Sequence, residues 1–211
     1  MQPPAAPSRS RRASPMAPDE RRRAIIEAVV PLLVEHGGDV STREIAEACG
    51  IAEGTIFRAF PDKSSLLMAA AEETMSPADG GAQLRAALEG HDDLRTRLLI
   101  TAERMLERSE RVMVVMMALR QVVMSQPGEH QHRTGPPTFM AEANRALHAL
   151  VTEVFEPHQD VLTVDPSTAA TLLRTLVLGS RHPGAEAGPR LTAEQIVDAL
   201  LDGIRSGPKG D

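Results

Sequence analysis

The chain has 211 residues, enough for one small domain and one larger one, and its 42% hydrophobic content is sufficient for a globular core. No apolar run reaches the roughly 18 residues of a membrane-spanning helix, and no apolar segment follows the N-terminal arginines as in a secretory signal, so we expect a cytoplasmic protein without a membrane partner. The net charge of −6 argues against a partner held by bulk attraction, and the single cysteine, Cys49, excludes an internal disulfide and a cysteine-based zinc site.

The first 18 residues have the composition of a disordered segment. They are rich in Pro, Ser and Ala and carry Arg9, Arg11 and Arg12. Such a basic arm either tracks nucleic-acid phosphates or is an inert tail, and Met16 is a second candidate start.

The segment STREIAEACGIAEGTIFRAFPDK (residues 41–63) predicts two short helices joined by a tight turn. Ser41 is placed to cap the first helix, and Glu44 to close a capping box with it. Ala46 lets the two helices cross closely, and Gly50, four residues later, makes the turn. This spacing is typical of a helix-turn-helix, whose second helix can enter a DNA major groove, although an ordinary αα-hairpin is the alternative. The expected helices here are 19–36 (with Pro31 kinking it), 42–49, 52–60 and 63–74.

Together with the preceding RRRAIIEAVVPLLVEHG, this segment resembles the N-terminal DNA-binding domain of the tetracycline-repressor (TetR) family of bacterial transcription regulators, over about residues 21–70. EGTIFRAFPDKSSLL is the most specific part. The resemblance implies an all-α protein of about nine helices: a disordered basic arm (1–18), a three-helix helix-turn-helix domain (19–75) and a helical ligand-binding and dimerisation domain (82–207).

The family resemblance also implies a function. We expect a homodimeric repressor that binds a palindromic double-stranded DNA operator and is released by a small apolar or amphipathic effector. The alternative is a DNA-binding regulator without a small effector, controlled by a protein partner or by its abundance.

The predicted DNA contacts lie at helix N-termini and on the outer face of the recognition helix. Thr42 is placed to offer a hydroxyl and free N–H groups to a phosphate, and Thr55 to contact a base or a thymine methyl. Lys63 resembles the family's phosphate-binding lysine. The full predicted set is Thr42, Arg43, Glu53, Gly54, Thr55, Phe57, Arg58 and Lys63.

Two positions depart from the family pattern. The family commonly has Tyr where this chain has Phe57, and His or Tyr where it has Ala59, and both usually contact phosphate. Each missing contact is expected to cost on the order of 1 kcal/mol. Residues 1–63 carry nine basic and nine acidic side chains, so the whole −6 lies beyond them. The arginine-rich arm is therefore hypothesised to supply affinity that the motif lacks.

After an expected interdomain linker at residues 76–81, every periodic stretch is helical. Helix 109–125 is apolar on nearly all sides and is expected to be central and buried. Its methionines suit a pocket for varied apolar ligands, ordinary core packing being the alternative. Arg120, on the same stripe, would need an ion pair or an acidic ligand. The helices expected are 82–89, 92–108, 109–125, 137–156, 166–180 and 192–206; the pocket residues expected are Met105, Met113, Met116, Met117, Arg120, Met140 and Asn144.

The last two helices are expected to pair across a two-fold axis, because the family forms its dimer from such a pair. The predicted interface is Leu173, Leu176, Val177, Ile196, Val197, Leu200 and Leu201. We find no nucleophile elbow, phosphate loop or metal-ligand spacing, and the seven histidines, His130 and His132 included, do not converge. No enzyme activity, cofactor or metal is therefore predicted.

Overall fold

The computed structural model describes residues 17–125, 137–181 and 190–204. The predicted basic arm up to residue 16, and His130 and His132, lie outside these ranges. The described residues form nine α-helices: α1 Pro18–His36, α2 Thr42–Ala48, α3 Glu53–Ala59, α4 Lys63–Met75, α5 Pro77–Leu88, α6 Leu94–Ser125, α7 Thr138–Phe155, α8 Pro166–Gly179 and α9 Ala193–Ile204. Short 3-10 helices occupy Gly37–Asp39 and Glu156–Val161. The predicted all-α fold is confirmed.

The local signals around α2 and α3 behave as predicted. The Ser41 side chain accepts from the Glu44 amide (3.2 Å), and the Glu44 carboxylate accepts from the Ser41 amide (2.7 Å), which completes the capping box. Gly50 adopts φ +64°, a conformation that other residues rarely take. Ile45 and Ile56 are fully buried where the two helices meet α1 and α4. Asp62 caps α4 by accepting from the Ser65 amide at 2.6 Å.

The predicted linker at residues 76–81 is instead the start of α5, which begins at Pro77. Proline suits the first turn of a helix, because its missing N–H would have no partner there. Gly80 then allows a close approach inside the fold: a Cβ at this position would lie 2.2 Å from Nη1 of Arg108.

The two predicted helices 92–108 and 109–125 are one continuous helix, α6, of 32 residues. At 1.5 Å per residue it is about 48 Å long. Ser109, at the predicted break, is buried, and its hydroxyl donates to the Leu106 carbonyl at 2.8 Å. The hydroxyl therefore has its hydrogen-bond partner within the helix, and the helix continues through this residue.

The two halves of α6 belong to different cores. Its N-terminal half contributes Leu98, Ala102 and Met105 to the core formed with α5, α7, α8 and α9. Its C-terminal half contributes Val115, Ala118 and Leu119 to the core of α1 to α4. The expectation that residues 109–125 are buried on all sides is wrong, because Met117 is 57% and Met124 is 71% exposed.

The amphipathic faces of α8 and α9 are turned into the fold of the single chain. Leu173, Val177, Ile196 and Val197 are completely buried in it, and Leu200 and Leu201 nearly so. Six of the seven residues predicted for the dimer interface thus form intrachain core, with Leu176 alone of that set partly exposed. Asp165 caps α8 by accepting from the Thr168 amide at 3.0 Å, and Thr192 caps α9 by accepting from the Gln195 amide at 3.2 Å. None of the helices in the described ranges combines the length and apolar character needed to cross a bilayer.

Candidate nucleic-acid interface and ligand cavity

The outer face of α3 is open to solvent. Glu53, Gly54, Phe57 and Arg58 are exposed and Thr55 is half-buried, while Ile56 anchors the helix from the opposite side. Phe57, at 49% exposure, is a large apolar side chain presented on the surface. The structure therefore places the residues predicted from this helix together on one accessible surface.

A hydrogen bond joins the N-termini of α2 and α3. The Thr42 hydroxyl donates to the Glu53 carboxylate at 2.6 Å, so the residue predicted for a phosphate contact is already engaged. A carboxylate at the positive ends of two helices is favourable for the folded protein, but it occupies the place where a phosphate would be attracted. No pattern in the sequence indicates this pairing between residues eleven positions apart.

The two predicted phosphate cations also have partners in the chain. Arg43 is exposed and pairs with Glu47 at 3.0 Å, one turn along α2; the hydrogen bond to Glu47 raises the pKa of Arg43. The Lys63 ammonium donates to the Gly38 carbonyl at 3.0 Å. Partial burial lowers the pKa of Lys63, although the charges of Asp39 and Glu44 oppose that shift. Lys63 thus connects the start of α4 to the 3-10 helix after α1.

Arg22 fixes the C-terminal end of α3, a role that the sequence reasoning missed. Its guanidinium donates to the Ala59 carbonyl at 2.9 Å and lies 4.2 Å from the centre of the Phe60 ring. The interaction combines a charge-assisted hydrogen bond with a cation–π contact. The run Arg21–Arg23 was the available signal, but a charge run does not reveal which arginine contacts Ala59 and Phe60.

A mostly apolar cavity of about 160 Å³ lies between the end of α4 and helices α6, α7 and α8. Of the predicted pocket residues, it brings together Met105, Met113, Met116 and Asn144. The sequence reasoning missed the rest of its lining: Met75, Arg108, Ser109, Val112, Ala143, Leu147, Leu178 and Arg181.

Three predicted pocket residues are not part of that lining. Met117 and Arg120 are exposed, and Met140 is half-buried elsewhere on α7. Arg120 lies one turn beyond Met116, where α6 has already left the cavity and packs on the helix-turn-helix core, so its position on a methionine stripe does not bring it to the site.

Arg108 borders three cavities at once. Besides the methionine-lined one, it contributes to a cavity of about 340 Å³ beside α1 and α4 and to one of about 410 Å³ beside α5 and α7. Its guanidinium donates to the Ser76 carbonyl at 2.8 Å. Burial, together with the nearby charge of Arg111, lowers the pKa of Arg108 from its ordinary value. Within the described ranges, no cluster of three or more histidine, cysteine or acidic side chains is arranged to hold a metal ion.

Comparison with known proteins agrees with this geometry. Residues 25–70 match the family model of bacterial regulatory proteins, tetR family. No curated protein matches the chain by sequence. Solved structures share the fold along nearly the whole chain, at identities too low to indicate more than the fold.

Three of these solved structures are similar to the chain over about nine-tenths of its length. A putative transcriptional regulator from Saccharomonospora viridis in complex with choline is 21% identical, with a TM-score of 0.62, covering 90% of this chain and 100% of that one. The TetR transcriptional regulator SCO0520 from Streptomyces coelicolor is 22% identical, with a TM-score of 0.57 and coverages of 90% and 99%. The superantigen PfiT is 20% identical, with a TM-score of 0.59 and coverages of 92% and 100%.

Proposed function

We propose that this chain, whose residues 25–70 match the family model of bacterial regulatory proteins, tetR family, is a cytoplasmic, homodimeric repressor that binds a palindromic operator and is released by a small effector. The observation that carries the proposal is the open outer face of α3, held against α1 and α2 by Ile56 and Arg22 within the residues that match the family. A recognition helix needs such a face to enter a major groove.

Effector binding is supported by the methionine-lined cavity and its position. Met75 of α4 and Met113 and Met116 of α6 all line it. α4 directly follows the recognition helix, and α6 continues from the cavity into the helix-turn-helix core. A ligand that changed the packing of α4 against α6 would move the recognition helices of the two protomers relative to each other. The coupling must be reciprocal, so operator DNA weakens effector binding by the same factor.

Dimerisation is proposed through the outward face of α8. Thr168, Leu172 and Thr175 lie there, exposed, with the partly exposed Leu176 beside them. These residues replace the buried set that amphipathic spacing indicated. A two-fold axis through this face would pair the recognition helices for successive major grooves.

The test is binding of the purified full chain to its own upstream DNA, measured by fluorescence anisotropy across a salt series. We expect saturation at two protomers per palindrome and poor competition by random DNA. Arg58→Ala is expected to weaken specific binding at least tenfold, whereas Arg145→Ala, which removes an equally exposed arginine on α7, leaves it unchanged. Weak binding that is equal for all sequences and all three proteins would contradict the proposal.

A regulator without a small effector is the second candidate, favoured by the partly open and modest cavity of about 160 Å³. The two are separated by adding candidate ligands to the protein–DNA complex. Operator release by a compound that occupies the cavity supports the first; binding of no compound while operator affinity stays intact supports the second.

A further inference from the structure

Arg108 is a cation that borders three cavities without an acidic partner. Glu27, Glu73 and Glu107 line the cavity beside α1 and α4 with it, but among the described side chains Arg108 forms no ion pair. Its guanidinium donates to the Ser76 carbonyl at 2.8 Å. A half-buried charge without a counter-charge is costly, unless something else supplies the opposite charge.

The neighbouring arginines differ in this respect. Arg181, which lines the same methionine-lined cavity, pairs with Glu110 at 3.2 Å. Arg85, which lines the cavity beside α5, pairs with Glu153 at 2.8 Å. No aspartate or glutamate lines the methionine-lined cavity. The cavity is therefore electrostatically positive, and Arg108 is the positive charge on its lining that lacks an acidic partner.

The apolar part of the cavity sets the size of what fits. A volume of about 160 Å³ is close to that of a cavity that holds benzene, which corresponds to about six carbon atoms. Val112, Met113, Met116 and Leu178 surround this space, and methionines adapt to a flexible chain better than to one rigid shape.

We propose that the effector is a small monoanion, a carboxylate with a short aliphatic tail, whose head binds Arg108 and whose tail fills the methionine-lined cavity. The binding of this anion to the cavity does not depend on the proposed function, whereas its effect on DNA binding rests on that function. A guanidinium offers a carboxylate two parallel hydrogen bonds. A quaternary ammonium such as the choline held by the Saccharomonospora viridis protein would meet a like charge here, from Arg108.

The position of Arg108 also allows a bound anion to affect α4. Arg108 holds the Ser76 carbonyl, one residue beyond the end of α4, and lies against Gly80 in the first turns of α5. An anion that draws the guanidinium toward the cavity competes with that hydrogen bond. The C-terminal end of α4 is then released, and α4 is the helix whose N-terminus carries Lys63.

The test uses hexanoate, hexan-1-ol and hexylamine, which share a tail length, and measures their binding to the full chain by calorimetry without DNA. We expect hexanoate to bind at least tenfold tighter than the other two. Arg108→Gln is expected to remove this preference. Arg104→Gln, which deletes an exposed charge one turn earlier on α6, keeps it. Met116→Trp, which fills the cavity and leaves Arg108 in place, is expected to abolish hexanoate binding, and thermal melts establish that each variant folds.

Equal affinity for the three compounds, or a hexanoate preference that survives Arg108→Gln, would overturn the inference whatever happens with DNA. Operator binding is assayed separately by anisotropy. Intact operator binding without a hexanoate preference would contradict the carboxylate site and support the proposed regulator. A hexanoate preference that depends on Arg108, without operator binding, would support the carboxylate site and contradict the proposed regulator.

Discussion

At the scale of single residues, the hydrogen bond between Thr42 and Glu53 determines which groups the proposed DNA-binding surface presents. The carboxylate lies where two helix N-termini would attract a phosphate, and it holds the hydroxyl that would donate to one. If this surface binds DNA as proposed, binding either separates the pair or uses Glu53 itself, for which a cytosine amino group is a suitable donor. The proposed surface is therefore better suited to a base contact by Glu53 than to a phosphate contact by Thr42.

Glu53→Gln is expected to raise affinity for random-sequence DNA several-fold at low salt, because it removes a negative charge from a phosphate-facing surface. Discrimination between operator and random DNA is expected to fall. Anisotropy with both DNAs measures this, and Glu72→Gln, an exposed charge removal on α4, serves as the control. Unchanged affinity for random DNA would show that Glu53 does not face the phosphates.

Phe57→Tyr is expected to tighten operator binding by about 1 kcal/mol, or about fivefold. Phe57 is 49% exposed on the recognition helix, so a hydroxyl on its ring has room to reach a phosphate. The same titration measures the gain, and Phe57→Leu supplies a control that keeps an apolar group without a hydroxyl. A tyrosine variant no tighter than the wild type would place residue 57 away from the DNA backbone.

At the scale of elements, the sequence predicted what is local. The capping box of α2 depends on two side chains three residues apart, and the turn at Gly50 depends on the missing Cβ of that residue. The continuity of α6 and the start of α5 at Pro77 were missed, because a serine in one case and a Pro/Gly run in the other have both helical and breaking interpretations. Only tertiary packing decides between them.

The lining of the methionine-lined cavity was predicted only in part, because some of it depends on tertiary packing. The methionine pattern identified Met105, Met113 and Met116, since spacing fixes one helix face. It could not identify Arg108 or Met75, whose roles depend on how α6 crosses α4 and α5. Nor could the amphipathic pattern of α8 and α9 tell whether a second chain or the same chain covers an apolar face; here it is largely the same chain.

Ser41→Ala is expected to destabilise the N-terminal core by about 1 kcal/mol, through loss of the α2 cap. Its partner Glu44 makes the effect depend on pH. Hydrogen bonds from Ser41 lower the pKa of Glu44 below its ordinary value of 4.5. The Glu44 contribution is therefore present above that value and is lost as pH falls through the folded-state pKa.

The measurement is the melting temperature of the wild type and of Glu44→Ala from pH 7 to pH 3. We expect the wild type to melt higher at neutral pH and the gap to close in acid. Glu89→Ala, an exposed glutamate after α5, is the matched control. A gap that stays constant with pH would contradict the role of the ionised carboxylate.

At the scale of the whole molecule, the face of α8 that carries Leu172 is expected to join two chains. Leu172→Glu is expected to shift the mass in solution from twice 22.7 kDa to 22.7 kDa and to weaken operator binding by about a hundredfold, because a single protomer reaches one half-site. Light scattering after gel filtration checks the mass. Val161→Glu, at a similarly exposed position after α7, is expected to leave both properties intact, and a dimeric Leu172→Glu protein would exclude this face.

Because α6 contributes to two cores, helices α1 to α4 are not a detachable module. A fragment ending at Met75 would lack Val115, Ala118 and Leu119 and would leave the α4 surface that they cover open to water. Grafting α1 to α4 onto the remaining helices of a relative would meet the same difficulty, unless the end of the foreign α6 fitted this surface. Substitutions on either side of this contact are therefore constrained in evolution by the one helix that both cores share.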